Sequence, residues 1–148
     1  MKKLSIILTA YLLSMLLLNL NANAQSDKPY TDGPVWQLSF VQTKTGMADA
    51  YIKDLSEHWA KMMKAAKEEG LIMDYKIFES NTATPSDWDL LLMVEVKNYA
   101  ALDNIGDKMD ALSQRLFGQE DAGNKITISL NDIRKILGEK LARELIFK

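Results

Sequence analysis

Nine consecutive residues, Trp88-Asp89-Leu90-Leu91-Leu92-Met93-Val94-Glu95-Val96, limit what this chain can become more than any other stretch. A strand sends alternate side chains to opposite faces. Leu90, Leu92, Val94 and Val96 would therefore share one face, and Leu91 and Met93 the other. Both faces are apolar at the centre, which is the pattern of a strand covered on both sides. A buried helix segment can show the same run, but its shortness, the Pro85-Ser86 punctuation before it and Asn98 after it favour a strand. One layer of helices covers only one face of a sheet, so this strand needs a second cover from elsewhere.

The N-terminal segment is set apart before fold reasoning begins. Lys2 and Lys3 precede an almost uncharged apolar run from Leu4 to Leu20, and Ala22-Asn23-Ala24 follows. This is the layout of a secretory signal peptide with an A-x-A cleavage site, so residues 1–24 are expected to be removed, leaving Gln25 first. A permanent anchor helix is the rival reading. The run is short for a span of about 20 residues, and the Ala-x-Ala sequence favours release. The chain has no cysteine, so neither a lipid-modified N terminus nor disulfide support is available. An exported protein, periplasmic or secreted and free of the membrane after cleavage, is the expectation.

Removing 24 of the 148 residues leaves 124, and with two lysines lost and no acid the formal charge goes from -2 to -4. That length suits one domain with one core. Mild acidity argues against nucleic acid, which needs a basic footprint.

Residues 25–34 are polar, with Pro29 and Gly33, and read as a flexible lead-in; residues 35–148 read as the single domain. A first strand is expected from Val35 to Thr43, with Trp36, Leu38 and Phe40 on one face and Val35, Gln37, Ser39 and Val41 on the other. From Met47 to Glu69, Ile52, Leu55, Trp59, Met62, Met63 and Ala66 recur at helical spacing, and Gly70 stops the helix. Leu71 to Ser80 alternates as a half-exposed edge strand. The loop Asn81–Ser86 then leads into the central strand as a hairpin. Beyond Asn98, Leu102, Ile105, Met109, Leu112 and Leu116 mark a second helix ending at Gly118, with Gly106 as a site of close packing. Leu130 to Leu137 reads as a short helix and Lys140 to Lys148 as a last strand.

The order β-α-β-β-α-β, with an extra short helix before the last strand, is the split βαβ arrangement of an α+β, ferredoxin-like fold. Its first and third strands are expected at the centre as a parallel pair. In this order the chain resembles the dimeric α/β-barrel superfamily over roughly the whole mature length. Gly46-Met47-Ala48-Asp49-Ala50-Tyr51 and Asp87-Trp88-Asp89-Leu90-Leu91-Leu92-Met93-Val94-Glu95 resemble an uncharacterised exported branch of it. The resemblance implies a homodimer whose second subunit covers the open face of the sheet. Known members include antibiotic-biosynthesis-type monooxygenases, haem-handling enzymes and proteins with no known reaction.

His58 is the only histidine, and it lies beside the Leu55-Trp59-Met62 stripe. It can act as a general base or a metal ligand, and a histidine there is also at home at a core edge. Trp36, Phe40, Tyr51, Trp59, Tyr75 and Trp88 are the candidate lining of a pocket for a small apolar or aromatic molecule; the same aromatics also serve as plain core. Asp87 and Asp89 share a face and could work as paired carboxylates if buried. Arg134-Lys135 could attract an anion. No phosphate loop, nucleophile elbow or nucleotide fingerprint is present. No metal is predicted and no cofactor is required, although haem needs only one proximal histidine. The functional expectation is a dimeric binding protein, with a cofactor-independent monooxygenase using His58 as base, or haem binding through His58, as alternatives.

Overall fold

The computed structural model describes residues 28–118 and 130–148. The expected signal peptide therefore lies outside the described residues. Among the described residues, 28–30 group with Lys148, whose amide donates to the Pro29 carbonyl at 3.0 Å. Residues 31–147 make the main unit.

In that unit β1 (Tyr30–Thr43) leads into α1 (Ala48–Asp54), a π-helical segment (Leu55–Trp59) and α2 (Ala60–Glu68). Then come β2 (Asp74–Glu79), β3 (Leu90–Val96), a 3-10 turn (Tyr99–Leu102), α3 (Ile105–Phe117) and β4 (Arg134–Phe147). The sheet order β2-β3-β1-β4 puts β1 and β3 at the centre and makes the α+β, ferredoxin-like architecture. β3 pairs antiparallel with both neighbours, from Val35↔Val96 to Val41↔Leu90 on one side and from Asp74↔Glu95 to Glu79↔Leu90 on the other. The expectation of a parallel central pair is corrected here. The helical crossover makes β2 parallel to β1, and the hairpin then turns β3 back between them. Contacts of Thr31 with Ile146, Ser39 with Glu139 and Lys44 with Ile133 run in opposite chain directions, so β4 is antiparallel to β1 as well.

The two sheet faces differ. Val35 and Val41 of β1 and Leu90, Leu92 and Val96 of β3 are buried on the face that carries the helices. They fall into two clusters, one with Met63, Ala66, Ile72 and Leu112, the other with Tyr51 and Leu55; Trp59 packs against both. Burying an aliphatic side chain contributes about 1.5–3 kcal/mol, so this face supplies most of the unit's hydrophobic stabilisation. Trp36, Leu38 and Phe40 of β1 stand opposite Glu95, Met93 and Leu91 on the other face, where Leu91 and Met93 are only half-buried. Among the described residues β3 is thus buried on one face and half-covered on the other.

Several boundaries move. β1 starts five residues early because the long β4 runs alongside the supposed lead-in. Gly33 is needed there, since a Cβ would sit 3.0 Å from the Glu144 Cβ and 3.1 Å from its carbonyl oxygen. Residues 130–133 are helical, but the expected short helix ends there and β4 begins at Arg134 rather than Lys140. Asn98 caps the 3-10 turn through a 3.0 Å bond from the Ala101 amide, while Asn104, at φ 56°, breaks the chain before α3. A Cβ on Gly106 would meet nothing within 4 Å, so that glycine is not a close-packing site.

Candidate functional site

A cavity of about 330 Å³ opens between the helices and the inner face of β1, β3 and β4. Its walls are mainly apolar, with Val41, Leu55, Trp59, Leu92, Phe117 and Ile136 prominent. Its polar groups come from Tyr51, Asp54 and His58 on the first helix run, Ser113 on α3, and Arg134 and Glu139 on β4. On the first helix run Tyr51, Asp54, Leu55, His58, Trp59 and Met62 face the space together. They follow helical spacing, but the π segment between Leu55 and Trp59 widens that turn.

His58 Nδ1 lies 2.8 Å from Asp54 Oδ1, one turn earlier. The carboxylate fixes the ring, and a ring so held presents Nε2 as its second working nitrogen. The His58 side chain is 35% exposed and Asp54 19%, so the pair sits in the cavity wall within reach of solvent. The His58 ring also tilts against Phe117 at 5.6 Å. Tyr51 is 2% exposed. Burial raises its phenol above the ordinary tyrosine value, and Arg134 partly opposes this by charge and by donating to the hydroxyl oxygen. The Arg134 guanidinium carbon stands 5.4 Å from the Tyr51 ring centre, and its Nε is buried without a hydrogen-bond partner.

β4 contributes three residues to this wall. Arg134 and Ile136 line the cavity, and so does Glu139. Strict alternation would send Glu139 to the opposite face from Arg134 and Ile136. The Glu139 carboxylate reaches the cavity rim all the same, where it accepts from the Ser39 hydroxyl at 3.1 Å.

Of the residues singled out in sequence, the cavity brings together His58, Tyr51 and Trp59. Tyr75 stands behind them, edge-on to Trp59 at 5.6 Å and packed with the core. Trp36, Phe40 and Trp88 are not part of this lining. Phe40 and Trp88 meet edge-to-face at 5.9 Å, and Trp36 lies under Lys76 at 4.9 Å, all on the opposite face of the sheet. The cause is the period of two, which puts Trp36 and Phe40 opposite to Val35 and Val41.

Asp87 and Asp89 do not form a carboxylate pair. Asp87 accepts from the Ala83 and Trp88 amides within its loop, and Asp89 accepts from the Thr43 amide and hydroxyl, tying down the end of β1. Arg134 and Lys135 open β4 rather than ride on a helix, and as strand neighbours they face opposite ways. Sequence reasoning missed Asp54 and Glu139. The Asp54-x-x-x-His58 spacing was a usable signal, since residues four apart meet on a helix. Glu139 had none, because strict alternation sets it on the other face of the strand from Arg134 and Ile136.

Among the described residues no group of three or more acidic, histidine or cysteine side chains could hold a metal ion, and no helix is long and apolar enough to cross a membrane. No family model and no curated protein matches the sequence. Among solved structures, the chain is similar to a dimeric ferredoxin-like protein from an uncultured marine organism. The two share 11% identity at a TM-score of 0.48, over 80% of this chain and 90% of that one.

Proposed function

We propose that this is an exported homodimer that binds a small apolar or aromatic molecule in the cavity between helices and sheet. The observation that carries the reading is the cavity itself. At about 330 Å³ it lies at the lower end of the roughly 300–1,000 Å³ of small-molecule sites. Its apolar walls with a few convergent polar groups have the composition of such a site. The π segment at its edge adds support, since such turns recur at functional sites. Export rests on the sequence of residues 1–24, and the homodimer on the half-buried apolar face of Trp36, Leu38, Phe40, Leu91 and Met93. A native mass spectrum of protein purified from its own source tests the binding reading. A defined extra mass that is lost when Ser113→Trp fills the cavity supports it, and a mass unaffected by that change refutes it.

A second reading takes the same site as a cofactor-independent monooxygenase, with His58 as base. The 2.8 Å contact with Asp54 favours it, because a carboxylate that holds one imidazole nitrogen orients the ring and leaves the other nitrogen placed for proton transfer. Replacing His58 by alanine should then abolish turnover and leave ligand binding in place; full turnover in that variant removes the base. Haem binding through His58 is the less favoured alternative. A carboxylate-oriented histidine is what a metal ligand uses, but the described walls suit one or two fused rings better than a macrocycle. A Soret band in the purified protein would reverse that preference.

A further inference from the structure

The cavity wall carries charge, and its pairing is uneven. Asp54 is engaged by His58 at 2.8 Å. Glu139 accepts from the Ser39 hydroxyl at 3.1 Å and is exposed to solvent. Arg134 belongs to none of the ion pairs among the described residues. Among the described residues its side-chain partner is the neutral Tyr51 hydroxyl, and its Nε is buried without any acceptor. A buried donor left unmet costs free energy, more so on a charged group. A guanidinium offers a planar fork that matches a carboxylate, and such pairs are among the strongest hydrogen-bonded contacts. The Tyr51 hydroxyl, which receives a bond from Arg134, keeps its own hydrogen to donate at the same spot. The nearby walls at Leu55, Trp59 and Phe117 are mainly apolar.

We infer that the ligand is an organic acid, with its hydrocarbon or aromatic body against Leu55, Trp59 and Phe117 and its carboxylate on the Arg134 guanidinium beside the Tyr51 hydroxyl. This rests on the cavity being a binding site, and it specifies the class of molecule that site takes. Arg134 is the specificity-determining residue; the His58–Asp54 pair is left free to act on the rest of the ligand.

The test is calorimetric titration of the purified protein with 2-naphthoate and with neutral 2-naphthylmethanol, which share one ring system. The acid should bind about tenfold tighter or more, the scale of a charge-assisted hydrogen bond. Arg134→Gln should erase that advantage. Arg134→Lys, which keeps the charge but not the fork, should retain part of it. Ser113→Trp, which fills the cavity, should abolish both. Equal binding of the two probes overturns the inference while the cavity reading survives. Binding of neither probe, or binding that Ser113→Trp leaves intact, overturns both. If Arg134→Gln does not fold, the wild-type preference and its partial loss in Arg134→Lys decide the matter.

Discussion

The two faces of the central sheet have similar apolar content and different fates. On one face Val35, Val41, Leu90, Leu92 and Val96 are sealed by the helices. On the other, Trp36, Leu38, Phe40, Leu91 and Met93 are only half-buried, and Phe78 beside them on β2 is 49% exposed. A sheet that needed only one cover would carry polar residues on its second face. Contiguous exposed apolar surface instead marks a contact site. The first face thus provides the unit's own stability and its cavity, while the second is the proposed seat of another copy.

The largest effect should come from the sealed face. Leu112→Ala removes a side chain 1% exposed and should cost about 2–5 kcal/mol in urea unfolding. A loss below about 1 kcal/mol would mean that the sealed face is not the main source of stability. The open face should respond in the opposite manner. Leu91→Lys, opposite Phe40 and Phe78, should weaken self-association by about 100-fold or more. In sedimentation the variant should run as a folded monomer, and collapse of its unfolding transition would erase the distinction between the faces.

Two glycines sharpen the picture at smaller scale. Gly33→Ala pushes a Cβ into Glu144 and should destabilise by about 1–3 kcal/mol. Gly106→Ala meets open space on a helix and should stabilise by up to about 1 kcal/mol. Opposite signs in thermal melts would confirm that β1 and β4 are tightly apposed where α3 is not.

Alkaline titration gives the subtlest effect. Burial raises the Tyr51 phenol in the folded state above its ordinary 10.0, so the folded protein holds that proton more tightly than the unfolded chain. The resulting stability is fully present below the unfolded value and is lost as pH rises from there through the raised folded value. Comparing wild type with Tyr51→Phe in urea across that window isolates it from the lysines; parallel curves would mean that the phenol is not held this way.

Much of the fold was legible because it depends on local period. The alternation in β1 and β3 and the helical stripe from Ile52 to Ala66 settled element type and order. The direction of the central pair was misjudged because strand direction follows from connections, not from a strand's own residues. The extent of β4 was missed because Leu130, Ile133 and Leu137 fall at helical spacing while the strand they lie beside, the end of β1, is distant in sequence. The site divides in the same manner. Tyr51, His58 and Trp59 share a helix and were visible as a group. The reach of Arg134 into the same space needs the sheet to close first. The misplacement of Trp36, Phe40 and Trp88 was avoidable, since the alternation that separates them from Val35 and Val41 was already in the sequence.

The most direct test of the two-face picture is the native mass of the protein, with Leu91→Lys alongside. A wild-type mass of twice the chain, halved by the substitution in a protein that stays folded, is the expected result. A wild-type monomer at micromolar concentration would contradict it, since the apolar side chains of the second face would then have no cover.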